Sequence, residues 1–119
     1  MKERYFDIAK RMSKFSDHPQ HKIGGVIVYK SRIVSMGFNR MRTNPNSKSY
    51  NQHTHCELDC ILRADRDKLE GSTIYIYREN KQGVPSNCKP CKFCHELLKK
   101  VNIKEVCYTY DSCFVKENI

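Results

Sequence analysis

Residues Thr73 to Tyr110 read TIYIYRENKQGVPSNCKPCKFCHELLKKVNIKEVCYTY, and this stretch decides the architecture. Thr73 to Tyr77 is a short run of β-branched and aromatic residues, the composition of a strand. After the polar loop from Arg78 to Lys89, Pro90 suits the first turn of a helix running to Val101. Cys94, Leu97, Leu98 and Val101 have the spacing of its apolar face. Ile103 to Tyr110 is again β-rich. Strand, crossover helix and strand in this order predict a right-handed unit with parallel strands. Such a sheet needs helices over both faces.

Working outward, Tyr5, Ile8, Ala9, Met12 and Phe15 space an amphipathic helix that Asp17-His18-Pro19 ends. Ile23 to Tyr29 and Ile33 to Phe38 predict a hairpin through Lys30-Ser31-Arg32, with Gly24-Gly25 a point of close backbone approach. Asn39 to His53, containing Asn44-Pro45-Asn46, is a long polar loop of the kind that carries function in compact domains. Thr54 to Leu69 is the next helix, with Leu58, Ile61 and Leu62 on one face and Gly71 past its end. Asp111-Ser112 is a tight turn, and Cys113 to Val115 returns as a last strand. The expected fold class is α/β, a three-layer α-β-α arrangement with a mixed sheet of about five strands, in one domain over residues 1–119.

The chain has 119 residues, with 22 basic against 13 acidic and a formal charge of +9. No apolar run nears the roughly 20 residues of a membrane span. No apolar segment follows Met1-Lys2-Glu3-Arg4-Tyr5, so a cytoplasmic protein without a membrane partner is expected. The charge would concentrate phosphates and nucleic acids, although a solvated lysine-rich surface explains it as well. Seven cysteines, an odd number in a chain without a visible secretory segment, point to metal binding or chemistry rather than a disulfide scaffold.

The chemistry concentrates in His55-Cys56-Glu57 and Pro90-Cys91-Lys92-Phe93-Cys94, both at predicted helix starts. One imidazole and two thiolates suit Zn²⁺, and three protein ligands leave a fourth position for water. Cys91 and Cys94 are neighbours on one helical turn, whose positive end favours thiolate. Glu57 is placed to exchange protons with that water. Other roles stay open at this point. Thr54 and Glu57 spell a capping box, His53 would complete a closed four-ligand site, and Cys88-x-x-Cys91 competes with Cys91-x-x-Cys94. Cys56, Cys60, Cys107 and Cys113 read as small core residues, and His18, His21 and His95 as ordinary surface or second-layer histidines.

H-x-E followed by P-C-x-x-C resembles the signature of zinc-dependent nucleobase deaminases. The order of elements is similar to that of the cytidine/deoxycytidylate deaminase superfamily over most of the chain. The resemblance implies zinc held by His55, Cys91 and Cys94, with Glu57 as proton shuttle in the hydrolytic conversion of cytosine to uracil. It implies that Asn39 contacts the substrate near the sugar, and it suggests a homo-oligomer. For the substrate, Arg40, Arg42, Lys48, Arg78, Lys81 and Lys89 supply cations for a monophosphate. A free cytosine nucleotide or nucleoside is favoured, with dCMP leading. An antiparallel last strand would instead match the free-nucleoside enzymes. Tyr108-Thr109-Tyr110-Asp111 is similar to the loop with which polynucleotide deaminases read single-stranded DNA or RNA, where such tyrosines stack on bases. A zinc-stabilised nucleic-acid-binding module without activity is the non-enzymatic alternative.

Overall fold

The computed structural model describes residues 3–41 and 54–119. In chain order these form α1 (Glu3–Ser13), β1 (Ile23–Tyr29), β2 (Arg32–Phe38), α2 (Cys56–Arg63), a 3₁₀ turn (Arg66–Lys68), β3 (Thr73–Arg78), α3 (Lys92–Lys100), β4 (Glu105–Tyr110) and β5 (Cys113–Asn118). The sheet order is β2-β1-β3-β4-β5. Only β3 and β4 run parallel, and the other three pairs are antiparallel. This is the mixed five-stranded α/β sheet expected from the pattern. Both hairpins close through two residues with positive φ, Lys30-Ser31 (48° and 64°) and Asp111-Ser112 (44° and 66°), the backbone that matches strand twist in two-residue loops.

Strand alternation divides the core into two layers. Val26, Val28, Tyr75, Tyr77 and Cys107 face Tyr5, Phe6 and Ala9 of α1. Ile27, Ile74, Ile76, Val106 and Tyr108 face Cys56, Cys60 and Ile61 of α2 and Leu98 of α3. The buried face of α1 is turned from the predicted stripe. Phe6 is buried against the Tyr75 and Phe114 rings (5.1 and 4.4 Å between centroids), whereas Phe15 lies beyond the helix and is exposed.

Several boundaries differ from expectation. The helix predicted over Thr54 to Leu69 is only Cys56–Arg63, because Ala64 is extended and Asp65 starts the 3₁₀ turn by accepting from the Asp67 N–H. Leu62 is consequently on the exposed side. Pro90 precedes α3 instead of opening it, since Cys91 is the N-cap. Cys113 is exposed at the start of the edge strand β5 and is no core residue. The polar loop with Arg42, Lys48 and His53 lies outside the described residues. Among the described residues no helix is long and apolar enough to cross a membrane.

The element that positions the site is α2, which sits unusually close to β1 and β2. Gly25 and Gly37 are a cross-strand pair directly beneath it. A Cβ on Gly25 would meet Cys56 Sγ at 2.8 Å, and one on Gly37 would meet Asp59 Oδ2 at 2.8 Å and Cys60 N at 2.9 Å. Gly37→Ala is therefore expected to lower stability by about 1–3 kcal/mol, the cost of overpacking a filled interior. Urea unfolding should show a lower midpoint with an unchanged slope; an unchanged midpoint would mean that α2 has room to rise.

Candidate active site

The two motifs meet because α2 and α3 begin at the same end of the sheet, where β3 and β2 finish and β1 starts. His55 and Cys91 play the same backbone part. Each is the extended N-cap of its helix (ψ 151° and 167°). Their carbonyls accept from Asp59 N (3.1 Å) and His95 N (2.8 Å), so the side chains hang at the helix mouths. The lead-in to His55 is fixed by a bridge in which Arg40 and Thr54 exchange N–H···O bonds of 3.0 and 2.8 Å. The N-cap is His55 rather than Thr54, one residue later than the capping-box pattern places it, and the His55 side chain makes no capping bond.

The donor atoms of His55, Cys91 and Cys94 all lie within 4.8 Å of one another. His55 Nδ1 is 3.2 Å from Cys94 Sγ and 3.7 Å from Cys91 Sγ. An ion at about 2.0 Å from nitrogen and about 2.3 Å from sulfur, in tetrahedral geometry, separates the two by about 3.5 Å. The set fits zinc. Cys91 Sγ also accepts the Cys94 N–H at 3.5 Å. Cys88 does not compete among the described residues: its thiol donates to the Ile76 carbonyl (3.4 Å) and meets Thr109 Oγ1 (3.1 Å), and burial pushes its pKa up to about 11.

Glu57 is buried against this set. Burial raises its pKa, opposed by its own backbone N–H and by the Cys94 thiol. Cys94 is raised in turn, first by burial and then by the charges of Glu57 and Cys91. Glu57, Cys91 and Cys94 thus bring three acidic groups together, an arrangement whose electrostatic logic a divalent ion would reverse.

A cleft of about 280 Å³ opens onto these residues. Its lining brings together His55, Glu57 and Cys91 with Asn39, Arg78 and Lys89, and it adds His18 and His21. Asn39 is buried, with Oδ1 accepting from Ile23 N (2.8 Å) and Nδ2 donating to the His21 carbonyl (2.6 Å). Tyr108 is not in the lining. It is buried in the α2/α3 layer with its hydroxyl donating to Glu117 (2.8 Å), and desolvation pushes its pKa up to about 12. Arg40 is not available as a loop cation either, because its guanidinium pairs with Asp59. Lys81 lines a separate depression with Lys14 and Glu79.

Sequence reasoning missed Asp59. This buried carboxylate takes Arg40 on one oxygen, and Arg63 Nε and the Phe38 N–H, both at 3.1 Å, on the other. It ties α2 to the end of β2. The i,i+4 pair Asp59/Arg63 was the legible half of that signal.

A family model described as the cytidine and deoxycytidylate deaminase zinc-binding region matches residues 1–110. The chain is 34% identical over 82 residues to an uncharacterized deaminase in the luxG 3' region of Aliivibrio fischeri, a match covering 62% of this chain and 55% of that protein. The chain therefore spans about half the length of that relative. It is 25% identical over 131 residues to the deoxycytidylate deaminase of Mycobacterium phage D29, covering 92% and 94%. In fold it is similar to cytidine deaminase from Burkholderia pseudomallei, with a TM-score of 0.69 at 15% identity over 99% and 92% of the two chains.

Loss of either thiol is expected to abolish metal retention: the wild-type chain should hold about one zinc ion after dialysis, and Cys91→Ala or Cys94→Ala should hold none. Because the Cys94 thiol must lose its proton on binding, apparent zinc affinity should rise with pH, by about tenfold or more per unit between pH 6 and 8. Competition with a chromophoric chelator measures both, and pH-independent affinity would contradict thiolate ligation.

Proposed function

The chain belongs to the cytidine and deoxycytidylate deaminases, and from that premise we propose that it removes the amino group of a cytosine ring in a free nucleotide, dCMP foremost. The observation that carries this reading is a buried carboxyl group, Glu57, in the lining of the cleft beside three converging metal donors. His55, Cys91 and Cys94 would hold the zinc, which when bound supplies the Lewis acid that makes water nucleophilic at neutral pH. Glu57 accepts a proton from the attacking water and delivers it to ring N3, which makes C4 more electrophilic. A C–O bond forms at C4, the C–N bond breaks, and ammonia leaves with the remaining proton. Burial lifts the Glu57 pKa above the ordinary carboxylate range, which favours its proton-carrying form.

The other cleft residues fit binding roles. Asn39 keeps one amide N–H beyond its bond to His21, enough for a sugar hydroxyl. Arg78 and Lys89 supply positive charge at the same opening. A polynucleotide substrate is disfavoured, since Tyr108 and Thr109 are buried and Tyr110 lines a different depression. The unphosphorylated nucleoside is the second reading, favoured by the antiparallel β5. The inactive binding module leaves the buried Glu57 carboxyl without a role.

Ammonia release measured side by side on cytidine, CMP, dCMP, dCTP and single-stranded DNA tests the proposal, with dCMP expected to be turned over best. Glu57→Gln should keep zinc and fold while losing turnover by about 10²–10⁴-fold, the usual worth of general acid–base catalysis. Deamination of single-stranded DNA with none of the free compounds would contradict the substrate class, and full activity of Glu57→Gln would contradict the mechanism.

A further inference from the structure

Among the described residues lining the cleft, Glu57 is the only carboxylate, while His18, His21, Arg78 and Lys89 are basic. Lys89 leans toward Glu117 at 3.6 Å. Arg78 has no carboxylate partner among the described residues. Its Nη1 donates to the Asn87 carbonyl at 2.9 Å, and its Nε is buried without an acceptor. This guanidinium is held in place by backbone and left uncompensated in charge.

The segment between α1 and β1 delivers two imidazoles to the same opening. His18 Nδ1 accepts the backbone N–H groups of Gln20 (3.1 Å) and His21 (2.9 Å). An accepting Nδ1 fixes the tautomer, so the ring carries its proton on Nε2 and presents a donor. His21 is placed by the Asn39 amide on its carbonyl, and the two rings lie 5.2 Å apart. Ile23, two residues on, pairs with Arg78 across the β1/β3 ladder. The three basic groups feel one another: burial first, then the charges of Arg78 and His18, lower the His21 pKa.

We infer that His18, His21 and Arg78 form a clamp for the phosphomonoester dianion of the substrate, with Asn39 positioning the turn that carries the two histidines. A dianion supplies the negative charge this wall lacks, and it accepts from both the arginine fork and an imidazole N–H. The inference deepens the nucleotide reading and rests on it for the identity of the ligand. It moves phosphate recognition away from Arg40 and Lys81, keeps Arg78, and adds His18 and His21, which the sequence reading left as ordinary histidines.

Binding of the product pair dUMP and deoxyuridine to the zinc-loaded chain tests the clamp without requiring turnover. Wild type should bind dUMP about tenfold or more tighter than deoxyuridine, the effect of charge-assisted bonds to one phosphate. Arg78→Gln, and separately His18→Asn with His21→Ala, should bring that ratio to within about threefold. Asparagine at 18 keeps an oxygen to accept the turn's N–H groups, so the backbone survives. Lys81→Gln removes the same charge outside the cleft and should leave the ratio unchanged. Equal binding of the two ligands by wild type, no binding of either, or an equal drop in the ratio for Lys81→Gln would overturn the clamp. If the ratio behaves as expected while no cytosine compound is turned over, the clamp stands and the deamination reading falls.

Discussion

The seating of α2 on the sheet is the constraint from which the site follows. His55 reaches Cys94 only because the first turn of α2 lies nearly in contact with β1 and β2, over a pair of glycines that expose bare backbone. Three bonds then hold it down. Ser35 Oγ donates to the Cys60 carbonyl at 2.8 Å, Asp59 accepts the Phe38 N–H, and the Arg40–Asp59 pair joins the strand end to the helix. A buried ion pair is weak evidence for net stability, but it fixes register, since removing one partner strands the other charge. Here the register decides whether imidazole and thiols converge.

With the backbone so placed, the electrostatics of the site are set by what surrounds it. Burial holds Glu57 toward its neutral form against the Cys94 hydrogen bond, while burial and the Glu57 charge together hold Cys94 toward the thiol. His55, Cys91 and Cys94 would hold a divalent cation as thiolate and imidazole ligands, and Glu57 would then be the neighbouring group able to accept a proton. The wall of His18, His21 and Arg78 is the complementary half, offering N–H donors and the Arg78 charge opposite the acidic metal pocket, and it suits a ligand with a polar ring at one end and an anion at the other.

Much of this was legible in the sequence, and the exceptions share a cause. The order of elements, the parallel β3/β4 pair and the antiparallel β5 follow from local pattern and turn chemistry, which are short-range properties. His55, Cys91 and Cys94 were legible because their spacing is itself chemical information. What escaped were facts about distant contacts. Arg40 reads as a loop cation until Asp59, 19 residues away, is seen to bind it. Tyr108 reads as a stacking residue until the sheet turns it into the α2/α3 layer. His18 and His21 carry no periodic or motif signal, and only the fold brings them to Arg78. The helix start is one residue later than the Thr54-x-x-Glu57 pattern suggests, because Thr54 pairs with Arg40 and His55 becomes the N-cap.

The central claim is that two helix mouths build an open three-ligand metal site. X-ray absorption at the zinc edge of the zinc-loaded wild-type chain tests this most directly, because it counts ligands by element. The account predicts two sulfur atoms at about 2.3 Å with one nitrogen and one further light atom at about 2.0 Å. A first shell of three sulfur atoms would place Cys88 or another thiol on the metal, close the fourth position, and contradict it.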